Sequence, residues 1–228
     1  MLKTSLIILT RNEITGLSKV FNKIPINKVD ECFCVDYKST DGTKEFLKKK
    51  KIKIIEQKKP GRSEAFRIGA SLAKGSILIF FSPDGNENPT DITLLIKKIE
   101  DGADLVIASR FVIGARNEED DQIFKARKWA NQLFTFVANI IWKGKITDSI
   151  NGYRAIKKSS FEKLHLDSEG FAIEYQMTIR ALKLKLKIAE IPTIEGDRIG
   201  GQSGSIAIPT GLRFIYYLVR EIFIGNNF

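Results

Sequence analysis

ILIFFSPDGNENP, Ile77 to Pro89, decides how the chain is read. Its first five residues, Ile77 to Phe81, are an apolar run with the length and composition of a strand buried on both faces. They lead directly into Ser82, Asp84, Asn86, Glu87 and Asn88, a polar cluster closed by Pro89. A core strand that ends in acids and amides puts polar chemistry at the edge of a sheet.

Outward from it, the same order repeats. Upstream, Leu6 to Leu9 is an apolar run followed by Ile14, Leu17, Val20 and Ile24 at helical spacing. Cys32 to Val35 is a strand, Ser39-Thr40-Asp41-Gly42 supplies turn and cap chemistry, and a helix starts near Thr43. Ile52 to Ile55 is a third strand, followed by a helix from Glu64 to Ala73 that Gly75 stops. Downstream, Ile92 to Ile99 is a helix stopped by Gly102, and Leu105 to Ala108 a fifth strand. Strands alternating with single helices predict an α/β fold with a mostly parallel sheet covered on both faces. Ligands of such sheets bind at the carboxyl ends of the strands. Asp36, Asp84 and Arg110 all fall on that edge.

The second half is less regular: a polar loop from Gly114 to Gln122, a long helix from about Arg127 to Trp142, a turn at Asn151-Gly152, a helix near Ala172 to Leu182 and a strand near Lys187 to Ile191. One unit is expected over 1–205, followed by an amphipathic helix over 206–228. That last segment, IPTGLRFIYYLVREIFIG, is apolar around most of its circumference, with Arg213, Arg220 and Glu221 on one narrow side. It falls short of the roughly 20 residues that span a bilayer. It suits a helix lying in the membrane interface with arginines among the headgroups, or a helix packed on the domain or on a second subunit.

The 228 residues, 43% of them apolar, suffice for a sizeable core. A formal charge of +10 points to a polyanionic partner: nucleic acid, an anionic membrane surface or a phosphorylated substrate. Nucleic-acid binding predicts aromatics interleaved with a basic stripe, whereas Phe80, Phe81, Phe134, Phe136, Tyr216 and Tyr217 sit in apolar runs. Cys32 and Cys34, two apart on a strand, share a face and fit neither a zinc set nor a redox Cys-x-x-Cys; they read as buried hydrophobes in a reducing cytosol. The N-terminal apolar run is too short for a signal peptide, so export is not expected. His165 is the only histidine and reads as a surface residue. Dinucleotide-binding and P-loop glycine motifs do not occur.

Six motifs in order carry a family resemblance: LIILTRNE (Leu6 to Glu13), VDYKSTDGT (Val35 to Thr43), SPDGN (Ser82 to Asn86), ASR (Ala108 to Arg110), DSINGYR (Asp148 to Arg154) and RIGGQS (Arg198 to Ser203). Together they resemble the family 2 inverting glycosyltransferases of the GT-A fold, most closely the dolichol-phosphate mannose synthase branch. The resemblance implies that Thr10, Glu13 and Asp36 line a nucleoside pocket. It implies that Asp84, with a side-chain oxygen of Asn86, holds Mg2+ or Mn2+ on the donor diphosphate, where a hard cation offsets the charge developing on the leaving group. With Ser82 a poor metal ligand, either the metal is held weakly or Lys38 or Arg67 shares in neutralising the phosphates, and the resemblance implies that Arg198 with Ser203, on a loop over the donor, takes the diphosphate.

The acceptor side rests on Arg110, Arg127, Asn131, Asp148, Arg154, Glu174 and Arg198, since several arginine forks on one edge suit phosphate, and the resemblance implies that Arg110 and Arg127 take the acceptor phosphate. Ser82 stands where the family has its first acid, and Tyr37 and Lys38 replace an acid and a glycine of its second motif. Gly61 to Ala65 is either an anion cradle at a helix start or an ordinary helix start, and Ser39 to Thr43 reads as a capped turn. Any single arginine also suits an ion pair. Asp148 and Asn151 to Arg154 also suit a structural turn.

The acceptor decides the chemistry. A sugar hydroxyl needs a base, for which Asp148 and then Glu174 are the candidates, whereas a phosphate monoester with a second pKa near about 6 is already largely a dianion. The many arginines, the positive charge and the apolar tail favour a lipid phosphate. The expectation is therefore a metal-dependent inverting transfer of a hexose from a GDP- or UDP-sugar to polyprenyl (dolichyl or undecaprenyl) phosphate. The enzyme would be peripheral on the cytoplasmic membrane face, with a second copy or a membrane protein as partner for the last helix. The alternatives are transfer to a glycan hydroxyl and a nucleotide-sugar-binding module without turnover.

Overall fold

The computed structural model describes residues 2–122, 125–199 and 207–228. In chain order the elements are β1 (Thr4–Thr10), α1 (Ile14–Val20), β2 (Glu31–Asp36), α2 (Thr43–Lys49), β3 (Lys53–Glu56), α3 (Arg62–Leu72), β4 (Ile77–Phe81), α4 (Asp91–Glu100), β5 (Leu105–Ser109), α5 (Ala126–Trp142), β6 (Arg154–Lys157), α6 (Lys158–Lys163), α7 (Ala172–Lys183), β7 (Ile188–Pro192) and α8 (Ala207–Ile224). The strands form one sheet in the order β3-β2-β1-β4-β6-β5-β7.

Alternation along each strand divides the core between the two faces. Leu6, Ile8, Ile77, Ile79 and Phe81 pack on one face, Ile7, Leu9, Leu78 and Phe80 on the other. Strands buried on both sides need continuous apolar runs, which is why Ile77 to Phe81 shows no alternation of its own.

β6 was not expected from the sequence. It inserts between β4 and β5 and runs antiparallel to both, with Ile79 opposite Ala155 and Val106 opposite the same residue. Its four residues, RAIK, include a charged Arg154 that masks the apolar signal.

A third apolar cluster lies off the sheet, where α5, α7 and α8 meet through Ala138, Tyr175, Ile179, Phe214 and Tyr217. α8 therefore packs on the domain, through a face that carries Phe214 and Tyr217 together with the charged Glu221. Glu221 is fully buried against Arg180 and Lys183 of α7, and Arg220 pairs with Asp167. The placing of Arg220 among headgroups is corrected accordingly. The outward side is apolar, with Ile208 76%, Leu212 63% and Phe223 85% exposed. No helix among the described residues is long and apolar enough to cross a membrane. The boundary expected between 205 and 206 falls outside the described residues.

Candidate functional site

The parallel register brings Thr10 beside Asp36 at the carboxyl ends of β1 and β2. The Thr10 hydroxyl donates to the Asp36 carboxylate at 2.7 Å, and Ser39 donates to the same carboxylate from its backbone and its hydroxyl. The loop after β2 also caps the next helix over: Ser39 Oγ accepts from Asn12 N, Thr43 Oγ1 from Glu13 N and Asp41 Oδ2 from Ile14 N. The capped turn read at Ser39 to Thr43 thus serves α1 as well as α2, meeting N–H groups that a helix start leaves unpaired. Lys38 is exposed at a φ of 50°, and its ammonium and the Arg11 guanidinium both lie over the Tyr37 ring.

Beyond β4, the turn at Pro83 to Asn86 is held by the segment on either side of Arg198: Ile199 N donates to Asp84 O at 2.7 Å and Gly196 N to Asn86 O at 3.0 Å. Gly85 takes a φ of 97°, and a Cβ there would come within 2.5 Å of Ile199, so this close approach requires glycine. Arg198 then bridges two acids, donating to Asp84 Oδ2 and to Glu13 Oε1, each at 2.6 Å. Burial pushes the Glu13 carboxyl up to about 7, although Arg198 opposes the shift. Asn86 spends its amide N–H groups on Glu118 Oε2 and Gly196 O, which leaves its oxygen available.

Ser82, in the place of the first acid, accepts a hydrogen bond from Arg62 Nη1 at 2.9 Å. Arg62 also pairs with Glu174 and lies 3.9 Å from Glu87, whose carboxyl burial raises well above its ordinary value. A cation of the chain itself thus stands beneath the strand end. Among the described residues no group of three or more His, Cys, Asp or Glu could hold a metal ion. One carboxylate and one amide oxygen beside a diphosphate still suit Mg2+, which is commonly held by one or two carboxylates together with substrate phosphates.

At the end of β5, Arg110 grips the fully buried Asp148 with Nε and Nη2 at 2.7 and 3.1 Å. Asp148 also accepts from the backbone of Arg110, Ile150 and Asn151. Burial alone would raise its carboxyl, but Arg110 and these N–H groups hold it below the ordinary carboxylate range. A second acid, Glu195, lies 3.7 Å from Arg110, with its carboxyl pushed up by burial to about 7. Phe111 lies between Arg110 and Lys128, at 5.2 and 5.9 Å, and so joins this cluster to the start of α5, where Arg127 is exposed and Asn131 half-buried.

Several expectations are corrected. Asp148 is not an available base, since both its oxygens are taken. Glu174 is 2% exposed and bound to Arg62. Arg154 is fully buried and donates to Asn151 O, Glu174 O and Thr178, so it braces β6 against α7 and does not reach an acceptor. Arg67 is tied to Ser168 O and Glu64, away from Asp84. Ser203 lies outside the described residues. Arg62, Glu87 and Glu195 were missed as site residues; the arginine between Gly61 and Ser63 was the available signal for the first.

Glycosyl transferase family 2 has a family model that matches residues 5–165. A dolichol-phosphate mannosyltransferase of Pyrococcus furiosus is 29% identical over 238 residues, covering 96% of this chain and 64% of that protein. Glycosyltransferase AglJ of Haloferax volcanii is 24% identical over 198 residues, covering 86% and 64%. An undecaprenyl-phosphate mannosyltransferase of Micrococcus luteus is 28% identical over 213 residues, covering 86% and 85%. The chain thus spans 64% of the length of the first two. Glucosyl-3-phosphoglycerate synthase from Mycobacterium tuberculosis, in complex with Mn2+, UDP and phosphoglyceric acid, superposes with a TM-score of 0.74 at 17% identity, covering 99% of this chain and 78% of its own, which is a likeness of fold. The matched segment runs from within β1 to just past α6 and takes in Thr10, Glu13, Asp36, Asp84, Arg110 and Asp148, so the chain belongs to glycosyl transferase family 2 and has a GT-A fold.

Proposed function

We propose that the chain transfers a hexosyl group from a nucleotide sugar to polyprenyl phosphate, with inversion, at a membrane surface. One juxtaposition carries this reading. The polar strand ends that suit a nucleotide diphosphate adjoin Arg110, and from there α5 runs off with an apolar outward stripe, Trp129, Leu133, Phe136 and Ile140, each at least half exposed. A donor that is all charge and an acceptor that is a phosphate on a hydrocarbon chain would meet at that junction. The mannosyltransferases among the relatives are named for such acceptors.

In this reading the loop that Asp36 and Thr10 hold in place, with the Tyr37 ring on it, receives the nucleoside, and Asp84 with Asn86 would hold a divalent cation with the donor. Bound there, that cation neutralises charge on the diphosphate. Arg198 moves from Glu13 and Asp84 onto the diphosphate. Arg110, kept in place by Asp148, positions the acceptor phosphate. A phosphate oxygen attacks the anomeric carbon, the bond from that carbon to the diphosphate breaks, and the nucleoside diphosphate leaves with the electron pair. No proton need move, because the acceptor is already a dianion near neutral pH. Asp148 and Glu174, both spent on arginines, match a reaction that asks for no base.

One observation favours a second reading. Glu195, with its carboxyl near about 7 beside Arg110, is suited to take a proton from a glycan hydroxyl. The test is radiolabelled transfer from GDP- and UDP-sugars to polyprenyl phosphate in detergent, with Mg2+ or Mn2+ against EDTA, for the wild type and Asp84→Ala. Metal-dependent label in the organic phase, reduced at least about 100-fold by the substitution, is expected. Label only in water-soluble product, or none at all, overturns the reading.

A further inference from the structure

At the far ends of α5 and α7, away from the strand-end acids, the chain encloses an open cavity of about 610 Å³. Trp142, Lys143 and Lys145 line it from the end of α5, and Lys183, Lys185 and Leu186 from the end of α7, with Asn226 closing it beyond α8. We propose that this cavity binds the phosphate headgroups of anionic membrane lipids, giving the protein a second point of attachment at the opposite end of α5 from Arg110.

The turn that presents the first two lysines is built. Asn139 clasps it, donating to Ile146 O at 2.8 Å and accepting from Ile146 N at 3.2 Å. Gly144 lies so close to Asn139 Oδ1 that a Cβ would come within 2.5 Å of it. Lys143 and Lys185 both sit at positive φ, 54° and 53°, where glycine or asparagine is the usual choice. The site therefore retains lysine at two positions where backbone preference runs against it.

The charge is not offset locally. Lys183 donates to Glu221 and to Gly225 O, and so serves the docking of α8. Lys143, Lys145 and Lys185 make no ion pair with any described acid. The three helix C-termini beside them, those of α5, α7 and α8, carry about half a negative charge each, which leaves an excess positive charge facing solvent.

The occupant follows from continuity and from charge. Ile140 and Ile141, 62% and 38% exposed, lead the α5 stripe to the cavity mouth, and Ile222 and Phe223 do the same for α8. The two helices touch through Phe134 and Phe214, so their outward stripes run side by side. Cations at the margin of a broad apolar face match the layering of a bilayer, with hydrocarbon beside phosphate. A soluble anion would not account for the adjoining apolar face. The inference rests on the membrane contact of the proposed function and is independent of the sugar and of the acceptor.

The test is co-sedimentation of the full chain with vesicles of pure phosphatidylcholine and with vesicles equimolar in phosphatidylcholine and phosphatidylglycerol. The variant is Lys143→Gln, Lys145→Gln and Lys185→Gln, and its control is Lys48→Gln, Lys49→Gln and Lys51→Gln on the other side of the molecule. A lysine near an anionic surface contributes about a fivefold factor, so the cavity variant is expected to lose on the order of 100-fold in partition to the anionic vesicles. The control variant keeps most of its binding. Equal losses in both variants, or none in the cavity variant, overturn the proposal. So does full displacement from vesicles by inorganic phosphate at constant ionic strength, which would mark a free-anion site. Sugar transfer in detergent, measured on the same preparations, reports separately on the enzyme reading and on folding.

Discussion

At Arg62 one guanidinium meets the Ser82 hydroxyl, Glu174 and Glu87 at once, and its face lies 5.3 Å from the centre of the Phe66 ring. Removing one partner of a buried charge group leaves the others unpaired, at a typical cost of about 3–5 kcal/mol. Arg62→Ala is expected to lose that much in urea unfolding, and a loss under about 1 kcal/mol would show that the three partners are solvated well enough without it. Glu195 gives a prediction with two readouts. Its folded carboxyl titrates near about 7, above the unfolded value near about 4.5, so between those values the folded state binds more protons and stability falls as pH rises. Glu195→Gln is therefore expected to gain stability over the wild type from pH 5 to pH 8, by on the order of 3 kcal/mol at most. If the acceptor is a phosphate, the same substitution leaves transfer within a few-fold. If it is a hydroxyl deprotonated by Glu195, transfer falls by about 100-fold or more.

Among the elements, α8 carries the most information per residue. Its inward face joins Phe214 and Tyr217 to a Glu221 stitched to Arg180, Lys183 and Gln176 of α7, while Ile208, Leu212, Ile215 and Phe223 are left outward. Glu221→Ala strands two buried cations and is expected to cost about 3 kcal/mol. In hydrogen exchange the α8 amides lose protection first while those of β1 and β4 keep theirs; uniform loss would mean that α8 folds with the sheet as one unit. That orientation was not legible in the sequence, because a helix apolar around most of its circumference does not say which side meets the protein. The repeating strand–helix units were legible, since strands buried on both faces need unbroken apolar runs. β6 was not, because four residues starting with a buried arginine give no period to read. The strand-end acids Asp36 and Asp84 were legible from position alone. What Asp148, Arg154 and Glu174 do was not, because only packing reveals whether a charge faces a ligand or a partner of its own.

For the molecule as a whole, a net charge of +10 coexists with outward apolar faces on α5 and α8. The position of β6 adds a constraint on how the molecule comes to be made. In the sheet order the neighbours of β5 are β6 and β7 alone, so a nascent chain that ends at Ser109 holds three paired strands beside β4 and leaves β5, fully buried in the finished protein, with no partner. Closing the gap requires residues some 80 positions beyond β4, a long loop whose entropy must be met before any pairing rewards it. In pulse-labelled refolding the amides of β1 and β2 are expected to become protected before those of β5, and simultaneous protection would contradict this order. The open edges of β4 and β5 are then the surfaces that a translating ribosome exposes longest, and they are where aggregation during synthesis would start.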